Sequence, residues 1–234
     1  YGEVKEHCYK SINLDPQLSD AYILICRCLR LEIYNHRIGK QDQREANEAE
    51  LHEKAKKAFE LDPKNPEALI ILSLSANIKR DLKQRVELMK KALEINPNHA
   101  TANFEYGLSI TSFGEYEKAK EYILKSVELN PTSINEVFTH SSLMFCNMGL
   151  RDFENALDDI NKAIEINPDF TGALGFKASL LAHLDRVEEA KDFLAQYQEK
   201  RPNVKNISDY EKVAPTIIKE VLIEGLVKAG MPNE

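Results

Sequence analysis

A tripeptide returns along the chain at near-fixed intervals and leaves few folds open. Leu14-Asp15-Pro16, Leu61-Asp62-Pro63, Ile95-Asn96-Pro97, Leu129-Asn130-Pro131 and Ile166-Asn167-Pro168 are variants of one unit, and Lys200-Arg201-Pro202 is a degenerate sixth. Their prolines are spaced by 47, 34, 34, 37 and 34 residues. A period of this length marks an array of supersecondary units, each too small to bury its apolar face without a neighbour. The longest interval reads as one period with about thirteen extra residues, near 33–46.

The residues before each proline give the unit its shape. Five positions before it stand Ser11, Ala58, Ala92, Ser126, Ala163 and Tyr197. Eight before it stand Cys8, Ala55, Met89, Ile123, Ile160 and Leu194, and twelve before it Val4, Leu51, Arg85, Ala119, Ala156 and Ala190. These offsets share one face of a 3.6-residue helix, so this half of the unit is an amphipathic helix. Small residues on that face allow a second helix to approach closely. The proline ends the helix, because its ring disfavours helical backbone in the residue before it. The other half is helical too: Glu67 to Asn77, Ala102 to Ser112 and Gly172 to His183 fit, and a turn follows each. Phe113-Gly114-Glu115-Tyr116 is the clearest turn, with Gly114 suited to positive φ; Met148 to Phe153 and Leu184 to Val187 are its cousins.

At these positions the chain resembles the tetratricopeptide repeat. The small residue of the motif's helix A falls on Ser73, Gly107 and Ala178, its turn aromatic on Tyr116 and Phe153, and its helix B alanine on Ala119, Ala156 and Ala190. Leu51 and Arg85 depart from the alanine slot. The resemblance implies an all-α fold, a right-handed superhelical solenoid of helical hairpins over 1–202. A half repeat comes first, then five hairpins, so the chain reads as the C-terminal part of a longer protein. Residues 203–234 form a tail in which Ala214-Pro215 opens a capping helix of about 215–229, with an apolar stripe of Ile217, Ile218, Val221, Leu222 and Leu226.

A second resemblance lies in the tail. Glu224-Gly225-Leu226-Val227-Lys228-Ala229-Gly230-Met231-Pro232 is similar to the ending of a group of bacterial proteins. In that group a tetratricopeptide region follows a class III adenylate/guanylate cyclase domain or an OmpR-type winged-helix domain. It implies a regulatory interaction region of a cytoplasmic signalling protein, with a stand-alone adaptor or co-chaperone scaffold as the alternative. The cyclase's metal-binding aspartates and the winged helix do not occur in these 234 residues.

Composition narrows the chemistry. A formal charge of −7 argues against a nucleic-acid partner, and no apolar run is long enough for a membrane span. There is no Walker loop, no nucleotide-binding glycine triad and no G-x-S-x-G, and the six histidines are dispersed, so no enzyme, cofactor or metal is expected. Cys26 and Cys28 point roughly 200° apart on a helix and cannot share one tetrahedral ion; they and Cys8 and Cys146 read as small core residues. The basic run Lys79, Arg80, Lys83, Arg85, Lys90 and Lys91 reads as solvated surface, as does Asp158-Asp159. Within the insertion, Tyr34, His36, Arg37, Lys40, Asp42 and Arg44 read as part of a longer helix pair or surface loop.

The resemblance places the binding surface on the A helices. The slots that hold chaperone tails in other such domains carry Ile70, Ile71, Leu74, Phe104, Glu105 and Leu108 here, so a carboxylate clamp is missing. The expected groove is apolar and is lined by Ile70, Leu74, Asn77, Phe104, Leu108 and Phe138, with Tyr22 as a further candidate. It suits an apolar segment or amphipathic helix of a protein partner. A homodimer through uncovered repeat ends is a further expectation.

Overall fold

Sequence positions that share the expected face are the buried ones. Ala55, Ala58, Met89, Ala92, Ala119, Ile123, Ser126, Ala156, Ile160, Ala163 and Ala190 have no measurable exposure, whereas Val4, in the first half repeat, stands 48% exposed. The computed structural model describes residues 2–35, 41–78, 81–131 and 136–234, leaving the side chains at 34, 35, 41, 77 and 78 outside that description. Among the described residues there are thirteen helices and no strand. In chain order they are α1 (Gly2–Leu14), α2 (Ser19–Asn35), α3 (Gln41–Leu61), α4 (Pro66–Ile78), α5 (Leu82–Ile95), α6 (Ala100–Thr111) and α7 (Tyr116–Leu129). Then follow α8 (Glu136–Gly149), α9 (Phe153–Ile166), α10 (Gly172–His183), α11 (Val187–Lys200), α12 (Ile207–Glu211) and α13 (Lys219–Lys228).

The chain divides into two compact units, Tyr1–Tyr106 and Gly107–Glu234. In the first, α1 packs on α2, α2 on α3, α3 on α4 and α4 on α5; in the second, α7 to α11 pack in the same sequential way. The Asx-Pro unit does two things at each junction. The Asx backbone N–H closes the preceding helix, from Asn96 to Ala92 at 2.9 Å, Asn130 to Ser126 at 3.1 Å and Asn167 to Ala163 at 3.0 Å. The side-chain oxygen of Asp15, Asn96 and Asn167 then accepts from the N–H two residues on, at 2.9, 3.1 and 3.1 Å, turning the chain into the next hairpin.

Within the hairpins the turn lies where Gly114 stands, at φ +77°. The cousins place Arg151 and Asp185 at the same step, at φ 57° and 58°, without glycine. Gly149 has a different task from Gly114: a Cβ there would lie 2.5 Å from the Tyr116 ring. The insertion near 33–46 lengthens α2 and α3 to 17 and 21 residues, against 12 to 14 in the hairpins that follow. Glu32 of α2 links it to both neighbours, accepting from Lys5 of α1 at 2.9 Å and from Asn47 of α3 at 3.2 Å. Of the insertion's singled-out residues, Asp42 is exposed and Arg44 pairs with Glu48 at 2.8 Å. His36, Arg37, Lys40 and the Tyr34 side chain lie outside the described residues.

The terminal helix begins at Lys219, four residues later than Pro215 suggested. The Ile217 carbonyl accepts instead from the Tyr116 hydroxyl at 3.1 Å, and the first intrahelical bond runs from Leu222 to Ile218. α13 covers α10, and the tail closes on itself where the Ile207 N–H donates to the Pro232 carbonyl at 2.9 Å.

Candidate interaction site

The A-helix face of the first unit is crossed by charge. Arg27 and Arg30 stand one turn apart on α2. Arg27 pairs with Glu67 of α4 at 2.6 Å, and Arg30 comes within 3.7 Å of Glu105 on α6. Glu67 also pairs with His99 Nε2 at 2.9 Å, and His99 Nδ1 lies 3.3 Å from the Ala102 N. Glu105 takes a second guanidinium, that of Arg85, at 2.7 Å.

Two expectations are corrected by burial. Arg85 is not solvated surface: it occupies the helix B alanine slot at 8% exposure and lies against Glu105, both side chains being nearly enclosed. Lys83, Lys90 and Lys91 are exposed, Lys91 on Glu87 at 2.7 Å; Lys79 and Arg80 lie outside the described residues. Likewise Asp158 is exposed but Asp159 is 8% exposed. Asp159 accepts from Asn147 Nδ2 at 2.9 Å and pairs with His140 Nδ1 at 3.0 Å, while Lys120 donates to Asn147 Oδ1 at 2.7 Å. Burial pushes the Asp159 carboxyl above its ordinary value despite the His140 contact. Charge patterning along a helix cannot show that one carboxylate of an adjacent pair turns inward.

The residues expected to line the groove divide sharply. In the first unit Ile70 is 1% exposed and Leu74 and Phe104 are 9% exposed, packed into the hairpin interiors. Tyr22 is 6% exposed, its hydroxyl 3.3 Å from the Pro16 carbonyl. The Asn77 side chain lies outside the described residues. In the second unit Leu108 is half-buried and Phe138 is 49% exposed. Phe145, which the sequence did not single out, lies two turns beyond Phe138 on the same face of α8 and is partly buried. Its ring meets Phe176 edge to face at 5.5 Å, and Phe170 continues the row at 6.3 Å.

All four cysteines are buried free thiols, and burial pushes Cys26 and Cys146 up to about 12. Among the described residues no group of three or more His, Cys, Asp and Glu could hold a metal ion, and no helix is long and apolar enough to cross a membrane.

Acid sensitivity follows from Glu67. The His99 hydrogen bond, helped by Arg27, lowers its carboxyl to about 2 from the usual carboxylate range. A depressed pKa contributes stability above the unfolded value that is lost as pH falls through the folded one. Wild-type stability is therefore expected to drop between about pH 5 and 2, and to drop less in Glu67→Gln; equal slopes in urea titrations across that window would refute the assignment.

Tetratricopeptide repeat models match residues 66–99 and 100–133, and a second tetratricopeptide model matches 148–210, together more than half of the chain. No curated protein matches. Among solved structures, the APC/C hetero-tetramer Cut9–Hcn1 is 16% identical with a TM-score of 0.68 over 96% of this chain and 39% of that one. YrrB, described as a TPR protein with an unusual peptide-binding site, is 22% identical with a TM-score of 0.55 over 76% of this chain and 91% of its own. PilF of Pseudomonas aeruginosa is 17% identical with a TM-score of 0.58, over 90% and 89%. At these identities the likeness is one of fold.

Proposed function

Because the chain belongs to the tetratricopeptide-repeat family, whose fold serves generally as a non-catalytic protein-interaction scaffold, we propose that it captures a protein partner through the α8 face of its second unit. The observation that carries this is Phe138, a large aromatic left 49% exposed on α8, two turns before the half-buried Phe145 whose ring packs on Phe176. One exposed aromatic on a helix whose next aromatic on that face is packed edge to face suits an interface anchor. Its partner is an apolar segment or amphipathic helix, with Leu108 as a flanking contact. The buried Ile70, Leu74 and Phe104 support the hairpins from within.

The test is a displayed library of helical peptides selected on the immobilised chain. Selected peptides are expected to bind Phe138→Glu roughly tenfold or more weakly than wild type, with the far-ultraviolet helical signal unchanged. Undiminished binding would place the partner elsewhere.

The finer reading is that this interaction region regulates a larger bacterial signalling protein in the cytoplasm, a transcriptional regulator or a cyclase; its support is the ending Glu224 to Pro232. A stand-alone adaptor is the second reading, favoured by the likeness to YrrB, of which the chain spans 91%. The reading frame upstream of Tyr1 separates them: a winged helix or cyclase domain supports the first, a start codon within a few residues the second.

A further inference from the structure

α13 shows what the second unit can hold. Its buried residues Ile218, Leu222, Gly225, Leu226 and Ala229 fall on one helical face. That face lies on α10 at Ser179 and His183, where a Cβ on Gly225 would stand 2.5 Å from the Ser179 carbonyl oxygen and 2.9 Å from the His183 ring. The polar contacts reach mostly the backbone of the tail. Ser179 Oγ donates to the Leu222 carbonyl at 3.0 Å, His183 Nε2 to the Val221 carbonyl at 2.8 Å, and Tyr116 Oη to the Ile217 carbonyl at 3.1 Å. The Phe153 ring stacks on His183 at 4.2 Å and fixes its plane. An ion pair to α13, Arg151 to Glu224 at 3.0 Å, is open to solvent.

Donors fixed on α10 and α7 and aimed at carbonyls read the presence of a helix more than its sequence. What they demand is one small residue opposite Ser179 and aliphatic residues three before it and one after it. We propose that this α10 seat is a helix-binding site held in cis by α13, and that a partner helix with the same spacing binds by replacing it. The proposal rests on the interaction-scaffold reading and goes beyond it by adding a second seat with a partner pattern of its own: aliphatic, then small three residues on, then aliphatic. A tethered tail has an effective concentration on the order of millimolar, so it gates the seat against weak partners and yields to strong or concentrated ones.

The test uses the full chain and a fluorescein-labelled peptide of residues 213–234, followed by anisotropy. Gly225→Leu drives the resident helix off Ser179, so the peptide is expected to bind that variant at least roughly a hundredfold more tightly than wild type. A peptide itself carrying Gly225→Leu is expected to bind neither protein. Equal binding to the two proteins, or equal binding of the two peptides, overturns the proposal. So does loss of helical signal in the variant beyond that of α13 alone, since the tail would then be part of the core. Hydrogen exchange in wild type is an independent check: α13 amides exchange before those of α10 and α11, and exchange in step with them overturns it. Phe138→Glu leaves this seat untouched, so failure here and failure of the scaffold reading are told apart.

Discussion

Gly107→Leu is expected to lower the melting temperature of the second unit by about 6–12 °C, which corresponds to a loss of about 3 kcal/mol in a chain of this size. Even the first carbon of a side chain at Gly107 would stand 2.9 Å from the Ala119 carbonyl oxygen and 2.9 Å from Ile123 Cγ1. One of those obstacles is backbone, and Ile123 has no exposure through which to move aside. The α6 and α7 helices must therefore separate, which takes Ala119, Ile123 and their neighbours out of contact. Gly107→Ala is expected to show a smaller loss of the same origin. Gly114→Ala is the control: its Cβ meets nothing within 4 Å, and its cost of about 1 kcal/mol comes from φ +77° alone. Calorimetry of the three variants checks the order, and a leucine variant no worse than Gly114→Ala would refute close packing at this slot.

That slot was legible before any coordinates because repetition isolates it: Ser73, Gly107 and Ala178 recur at one register while their neighbours vary. The same holds for the buried stripe of the B helices and for the Asx-Pro junctions. Residues that act once were not legible. Arg151 and Asp185 take the same positive-φ step as Gly114 without being glycine, at a cost that the packed hairpin outweighs. Asp159 and Arg85 looked like solvated charge, since a sequence shows the charge of a side chain but not the partner that lets it turn inward. The expected groove residues divide between buried and exposed for the opposite reason. Ile70, Leu74 and Phe104 are apolar because they are core, and apolarity on an A helix does not separate a wall facing the interior from one facing a ligand. Phe138 was named with them, but its 49% exposure, which Phe113 in the α6–α7 turn shares, is not something a pattern encodes.

The Arg85–Glu105 pair yields the second large effect. The repeat puts alanine at this slot in three later hairpins, so Arg85→Ala restores a small residue and leaves Glu105 with Arg30 at 3.7 Å. Glu105→Ala does the reverse, removing the carboxylate that lies 2.7 Å from a guanidinium only 10% exposed. Breaking a buried pair from one side costs roughly 3–5 kcal/mol when the charge left behind stays enclosed. Glu105→Ala is expected to reach that range in urea denaturation of the first unit, and Arg85→Ala to cost clearly less. The double variant removes both members of the pair, and its loss is expected to fall short of the sum of the single losses by at least about 1 kcal/mol. Additive losses would mean that the two charges do not stabilise one another, and equal single losses would mean that Arg30 does not take over the carboxylate when Arg85 is removed. Either result would refute the Arg85–Glu105 pair as a source of stability in the first unit.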